Sequence, residues 1–219
     1  MNKLTLILGD THGRWKPVLR KLDEYDIRGA RIIGVGDIGI GFKSGDTPLF
    51  ELNEEFKRRE IEFMSIRGNH DIPRLFRENY KLSNVELIPD YTLREIDGEK
   101  FLFVGGAISI DRSQRIRGES WWEDEVFQYL PEKVQDCDVL VTHVPPTWSH
   151  GGKPGAFEWF PKDVTLADDC RKEREECDLL IAQCKPRTHY CGHFHVSWAA
   201  CGPDGVLSRI LNIYELYEH

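Results

Sequence analysis

Ile61-Glu62-Phe63-Met64-Ser65-Ile66-Arg67-Gly68-Asn69-His70-Asp71 is the stretch on which the reading of this chain turns. Apolar residues alternate up to Ile66, the period of a strand. The strand then closes on Gly68 and presents Asn, His and Asp side by side. Asn offers a neutral oxygen ligand, His a nitrogen that titrates near neutrality, and Asp a charge or a helix cap. Helix signals follow at once in Ile72-Pro73-Arg74-Leu75-Phe76. Taken alone, the stretch reads as a turn with an Asp N-cap. The ends of the other strands change that reading.

Upstream, Leu4-Thr5-Leu6-Ile7-Leu8 is a continuous apolar strand ending in Gly9-Asp10-Thr11-His12-Gly13. A helix follows, with Trp15, Val18, Leu19 and Leu22 on one face. Arg31-Ile32-Ile33-Gly34-Val35 is a second strand and ends in Gly36-Asp37. Residues 38–48 are Gly-rich and read as a long loop. Leu49, Leu52, Asn53 and Phe56 then take helical spacing into the strand before Asn69. This β-α-β-α-β order with buried strands is the pattern of an α/β protein with a helix-covered, largely parallel sheet.

Downstream, strands at residues 92–96 and 101–104 are joined by an Asp97-Gly98 turn. Ser120 and Glu123 form a capping box that predicts a helix reaching to about Val134. Asp138-Val139-Leu140-Val141-Thr142 is another buried strand and ends at His143. A Pro/Gly/Trp-rich loop covers residues 144–161, and Thr165 with Asp168 opens a further helix. The chain closes with strands near residues 188–191, 197–201 and 208–214. With no repeat, low-complexity tract or linker, residues 1–219 read as one domain.

Composition narrows the class. A chain of 219 residues with 40% hydrophobic and 30% charged residues is that of a soluble globular protein that needs no staples. A net charge of −8 argues against long nucleic acid as a partner. It leaves room for a small anionic substrate, because bound metal reverses the local sign. No signal segment and no apolar run of bilayer length is present, so the expectation is a cytoplasmic protein without a membrane or obligate protein partner. The six cysteines form no C-x-x-C pair and read as reduced thiols. Cys170, Cys177 and Cys184 recur with Leu166, Leu180 and Ile181 on one helical stripe.

In open α/β sheets, ligands bind beyond the carboxyl ends of the strands. Five strands here end in metal-capable groups: Asp10 and His12; Asp37; Asn69 and His70; His143; His193 and His195. His193 and His195 are two apart, so in an extended segment both rings point the same way. Carboxylates, an amide oxygen and imidazoles together suit divalent transition metals. Two ions about 3.5–4 Å apart would need a bridging carboxylate. Two other patterns fail. Gly34-Val35-Gly36-Asp37-Ile38-Gly39 has dinucleotide-site spacing, but Ile40 to Gly45 opens no helix. No Gly-x-Ser-x-Gly elbow occurs, which removes serine-based hydrolysis.

Asp10-x-His12, Gly36-Asp37, Gly68-Asn69-His70-Asp71, Thr142-His143 and Gly192-x-x-His195 resemble, in order and spread, the five motifs of the calcineurin-like metallophosphoesterases. The resemblance implies a four-layer α/β/β/α sandwich of two mixed sheets flanked by helices. It implies two divalent ions, manganese, iron or zinc. Asp10, His12 and His195 would hold one, Asn69, His143 and His193 the other, and Asp37 would bridge. His70, with Asp71 beside it, would be catalytic. The segment from Gly105 to Trp122 is similar to small bacterial and phage members of the family. One departure stands out. Where the protein-phosphatase branch continues its second motif with Asp-Arg-Gly, this chain has Ile40, Gly41 and Phe42. The Asp that orients the catalytic His is missing.

The function implied is hydrolysis of phosphomonoesters or phosphodiesters, on small or nucleotide-like substrates, by a metal-activated hydroxide. Arg67 is the candidate clamp for a phosphate oxygen, and Arg115 the candidate for a second anionic group. The alternatives are a protein serine/threonine phosphatase or a nuclease of the same family, and a non-catalytic binding scaffold on this fold.

Overall fold

The structure is a computed structural model that describes residues 3–42 and 49–219. The part of the expected 38–48 loop beyond Phe42 lies outside the described residues. The elements before it are β1 (Thr5–Leu8), α1 (Lys16–Glu24) and β2 (Arg31–Gly34). After it come α2 (Leu49–Arg58), β3 (Glu62–Ser65), α3 (Pro73–Arg77) and β4 (Val85–Leu87). The second half contains β5 (Thr92–Ile96), β6 (Glu99–Val104), β7 (Val139–Thr142) and α4 (Leu166–Cys184). The chain ends with β8 (Thr188–Cys191), β9 (Trp198–Cys201), β10 (Leu207–Ile210) and β11 (Leu216–Glu218).

Two mixed sheets result. One runs β11-β1-β2-β3-β4, with β1 to β4 parallel and β11 antiparallel to β1. The other runs β5-β6-β7-β8-β10-β9, parallel at its centre and antiparallel at both edges. The period of two along each strand divides its side chains between two cores. Ile7, Ile33 and Ile66 from the first sheet meet Phe101, Phe103, Val139 and Val141 from the second, which closes the sandwich. On the first sheet's other face, Leu6, Leu8, Ile32 and Phe63 pack under α1 and α2 through Val18, Leu22, Leu52 and Phe56. On the second sheet's other face, Leu102, Val104 and Leu140 pack under α4 through Cys177, Leu180, Ile181 and Cys184. The layers are therefore α/β/β/α. Phe56 is fully buried against Phe63 and Trp15, and truncating a core Phe to Ala costs roughly 3–5 kcal/mol.

Three local expectations are corrected. The helix from Ser120 to about Val134 does not form; the segment is irregular, with one short 3-10 turn at Pro131–Lys133. Its backbone groups are taken by tertiary partners instead of by one another. The carbonyls of Asp124, Glu125 and Val126 accept from Arg67, and the amides of Phe127 and Tyr129 donate to Glu173 and Glu176. Ser120 Oγ accepts from the Ile116 amide and caps nothing. The last long strand stops at Ile210; a turn at Asn212–Glu215 sends the chain across to the other sheet as β11. Cys170 leaves the buried stripe of its helix partners and is only half-buried. Among the described residues, no helix is long and apolar enough to cross a membrane.

Candidate metal centre

The turns after β1, β2, β3, β7 and β8 gather at one end of the two sheets. Asp10, His12, Asp37 and His195 each bring one donor atom within 4.8 Å of the others, and so do Asp37, His143 and His193. Asp37 belongs to both groups. Within them, His195 Nε2 is 3.1 Å from Asp10 Oδ2, His12 Nε2 is 3.0 Å from His195 Nε2, and His12 Nδ1 is 3.8 Å from Asp37 Oδ2. Asn69 is buried beside them, its amide nitrogen on Ser109 Oγ.

The backbone is bent to hold this arrangement. His12, Asp37, His193 and His195 all have positive φ, between 48° and 65°, a conformation that costs a non-glycine residue energy and collects at functional sites. Gly68 and Gly192 provide the space. A Cβ at Gly68 would lie 2.1 Å from Asp37 Oδ1, and one at Gly192 would lie 2.2 Å from Asp10 Oδ1.

The donors fit a cation. Asp37 Oδ2, Asn69 Oδ1 and His143 Nε2 are buried and have no hydrogen-bond partner among the described residues. Leaving such atoms unpaired costs about 1–3 kcal/mol each, and more for a charge. His143 Nδ1 donates to the Val35 carbonyl at 2.7 Å, which leaves Nε2 as the bare ligand atom, as in many metal sites. Although burial opposes it, Asp37 is held well below the usual carboxylate range by His143, His70 and His12. Burial would lower His143, but the Asp37 and Asp10 carboxylates raise it to about 9, with Nε2 3.3 Å from Asp37 Oδ1, so a cation would bind there by displacing a proton. Burial pushes His12 and His193 down, toward the neutral form that ligates.

Of the four other sequence candidates, His70 lies at the rim. Its ring makes edge contact with His12 at 4.5 Å and is overlaid by Phe42 at 4.3 Å, while its amide donates to Asp37 Oδ1 at 2.7 Å. Arg115 Nη2 is 2.9 Å from His70 Nε2. Other guanidinium donors of Arg115 reach Asp111 and the carbonyls of Asn69 and Ser120. Arg67 is no phosphate clamp. It is buried, paired with Asp90, and donates to the carbonyls of Asp124, Glu125 and Val126. Asp71 is buried and taken up by backbone amides. Its carboxylate accepts from the amides of Gly68, Ile38, Gly39 and Ile40, tying the turn after β2 to the turn after β3. Sequence reading missed Lys153, whose Nζ donates to the His193 carbonyl at 2.6 Å. The available signal was its place in the Gly-rich loop after His143.

Residues 4–197 match the family model for calcineurin-like phosphoesterases. The chain belongs to that family. This phosphoesterase is thus a phosphoester hydrolase of a metal-dependent class, with an Asp/His cluster able to bind metal. No curated protein matches it by sequence. Its fold is like that of the protein TT1561 from Thermus thermophilus, at 13% identity and a TM-score of 0.55 over 99% of both chains. Two further solved structures are similar at lower TM-score. One is a phosphopantetheinyl hydrolase from Mycobacterium tuberculosis (12% identity, 0.49, covering 100% of this phosphoesterase and 97% of that chain). The other is a 5'-nucleotidase from Candida albicans (13% identity, 0.47, covering 98% and 46%).

Proposed function

We propose that this chain hydrolyses small phosphomonoesters or phosphodiesters, nucleotide-like ones included, at a centre of two divalent ions bridged by Asp37. The observation that carries the reading is the trio of unpaired buried donors, Asp37 Oδ2, Asn69 Oδ1 and His143 Nε2, at the meeting point of five strand ends. Asp10, His12 and His195 would hold one ion and Asn69, His143 and His193 the other; mixed nitrogen and oxygen donors suit manganese, iron or zinc. Bound there, such ions supply Lewis acidity at the phosphate oxygens and bring the pKa of a water close to neutral.

The rest is the work of side chains. With Arg115 donating to Nε2, neutral His70 carries its proton on Nδ1. That N–H would donate a hydrogen bond to the leaving oxygen as it gains charge. Burial, together with the Arg115 charge and against the Asp37 carboxylate, holds His70 well below its ordinary range. Phe42 on one face and His12 at the edge confine the ring. His70, which lacks the Asp of the second motif, is thereby oriented by an arginine from a different loop.

A panel of phosphomonoesters, phosphodiesters, cyclic nucleotides and a phosphoprotein, assayed with added manganese, tests the reading. Small esters should be the best substrates. Turnover of the phosphoprotein ahead of every small ester, or of none of the panel, would defeat it.

A further inference from the structure

Beside His193, between the loop after β7 and the first half of α4, lies a cavity of about 320 Å³. That is within the range of small-ligand sites. Its walls are largely apolar, with Val144, Ala156, Phe157, Phe160, Ala167 and Phe194 among them. The charged side chains around it are mostly engaged elsewhere. Arg174 donates to the carbonyls of Pro146, Thr147 and His150, and Glu173 accepts from the amides of Ile108 and Phe127. Arg171 is paired with Asp168 and Glu175.

Lys153 is different. Its ammonium has three N–H donors. Two neighbours are within reach, the His193 carbonyl at 2.6 Å and His193 Nδ1 at 3.3 Å. A third direction remains for a ligand, and Lys153 shares the cavity wall with His193, a candidate metal ligand. The cavity is thus apolar along its length and cationic where it adjoins the metal cluster.

We propose that this cavity receives the alcohol part of the phosphoester, that this part is an apolar chain or ring, and that Lys153 grips a phosphate oxygen at its mouth. The proposal rests on the phosphoesterase reading above and narrows its substrate class. A nucleobase would find few free polar partners there, because Arg174, Glu173 and Arg171 are engaged elsewhere, and polar groups left unpaired on burial are costly. An apolar alcohol meets no such cost and gains by burial.

Primary n-alkyl phosphates from methyl to octyl test this, because leaving-group basicity is nearly constant along the series and the trend reads binding. The value of kcat/KM should rise by about fourfold per methylene until the cavity is full. Ala167→Trp, at an exposed position of the cavity wall that does not threaten folding, should flatten that slope. Calorimetric binding of methylphosphonate and octylphosphonate gives a readout independent of turnover. The wild type should prefer the octyl compound by at least a hundredfold. Lys153→Met should weaken both by a similar factor, roughly tenfold. Equal binding of the two phosphonates, or a chain-length slope untouched by Ala167→Trp, overturns the proposal. A strong octylphosphonate preference in a protein that hydrolyses no ester would support the cavity assignment and defeat the phosphoesterase reading instead.

Discussion

Arg115 Nη2 lies 2.9 Å from His70 Nε2, and the arginine side chain is only 6% exposed. A guanidinium cannot accept a proton, so this contact makes His70 Nε2 an acceptor and fixes the tautomer. Asp111 and the carbonyls of Asn69 and Ser120 hold the arginine in place. Arg115→Ala should therefore lower kcat about 10- to 100-fold, by releasing a positioned hydrogen-bond donor. KM should change little. The loss should be larger on alkyl esters than on nitrophenyl esters, whose leaving group needs no proton. Steady-state kinetics on both substrates check it, and an effect confined to KM would contradict it.

Asp71 makes a structural prediction in place of a catalytic one. Both its oxygens accept backbone amides from two different turns. Burial and the Asp37 charge raise it to about 7, while the Gly68 and Ile40 amides act the other way. Asp71→Asn places an N–H₂ against N–H donors and should cost about 2–4 kcal/mol of stability. Metal affinity should fall with it, because Asp37 and Asn69 stand in the two turns it joins. Denaturant unfolding and metal titration measure both. Unchanged stability with lost turnover would return Asp71 to the chemistry.

His189 sets a pH dependence away from the metal cluster. It is fully buried between Thr142 Oγ1 and Ser208 Oγ, and burial lowers it to about 3 from an ordinary 6.5. Between those values the unfolded chain binds the proton and the folded one does not. Stability from this residue is present above pH 6.5 and is lost as pH falls toward 3. The slope is at most about 1.4 kcal/mol per pH unit. His189→Gln should be less stable at pH 7 and should show a shallower loss between about pH 6.5 and 4. Parallel stability-versus-pH curves for the two proteins would contradict this.

The strands, and the polar groups after them, were legible in the sequence because each is local, whereas the second sheet and the division of ligands between two ions came from the resemblance to the phosphoesterases. Buried parallel strands are continuous apolar runs, and each candidate ligand sits within a few residues of a strand end. Binary periodicity therefore located β1, β2, β3, β7 and β8 and the groups after them. Roles set by distant partners were not legible. Arg67, at the end of β3, looks like an exposed cation until the carbonyls of Asp124 to Val126 come to it from across the chain. Ser120 and Glu123 have the spacing of a helix start, but tertiary bonds to Arg67, Glu173 and Glu176 claim the backbone that a helix would need. Short edge strands such as β4 and β11 carry too few residues to show a period.

The central claim is a pair of ions sharing Asp37, and metal analysis of wild type and Asp37→Asn tests it most directly. Both proteins are purified in parallel with manganese or zinc, and bound metal is counted per folded chain. The wild type should carry two ions. Asp37→Asn should remain folded by circular dichroism and lose both, since the carboxylate belongs to each cluster. Two ions retained in Asp37→Asn would contradict the bridged centre.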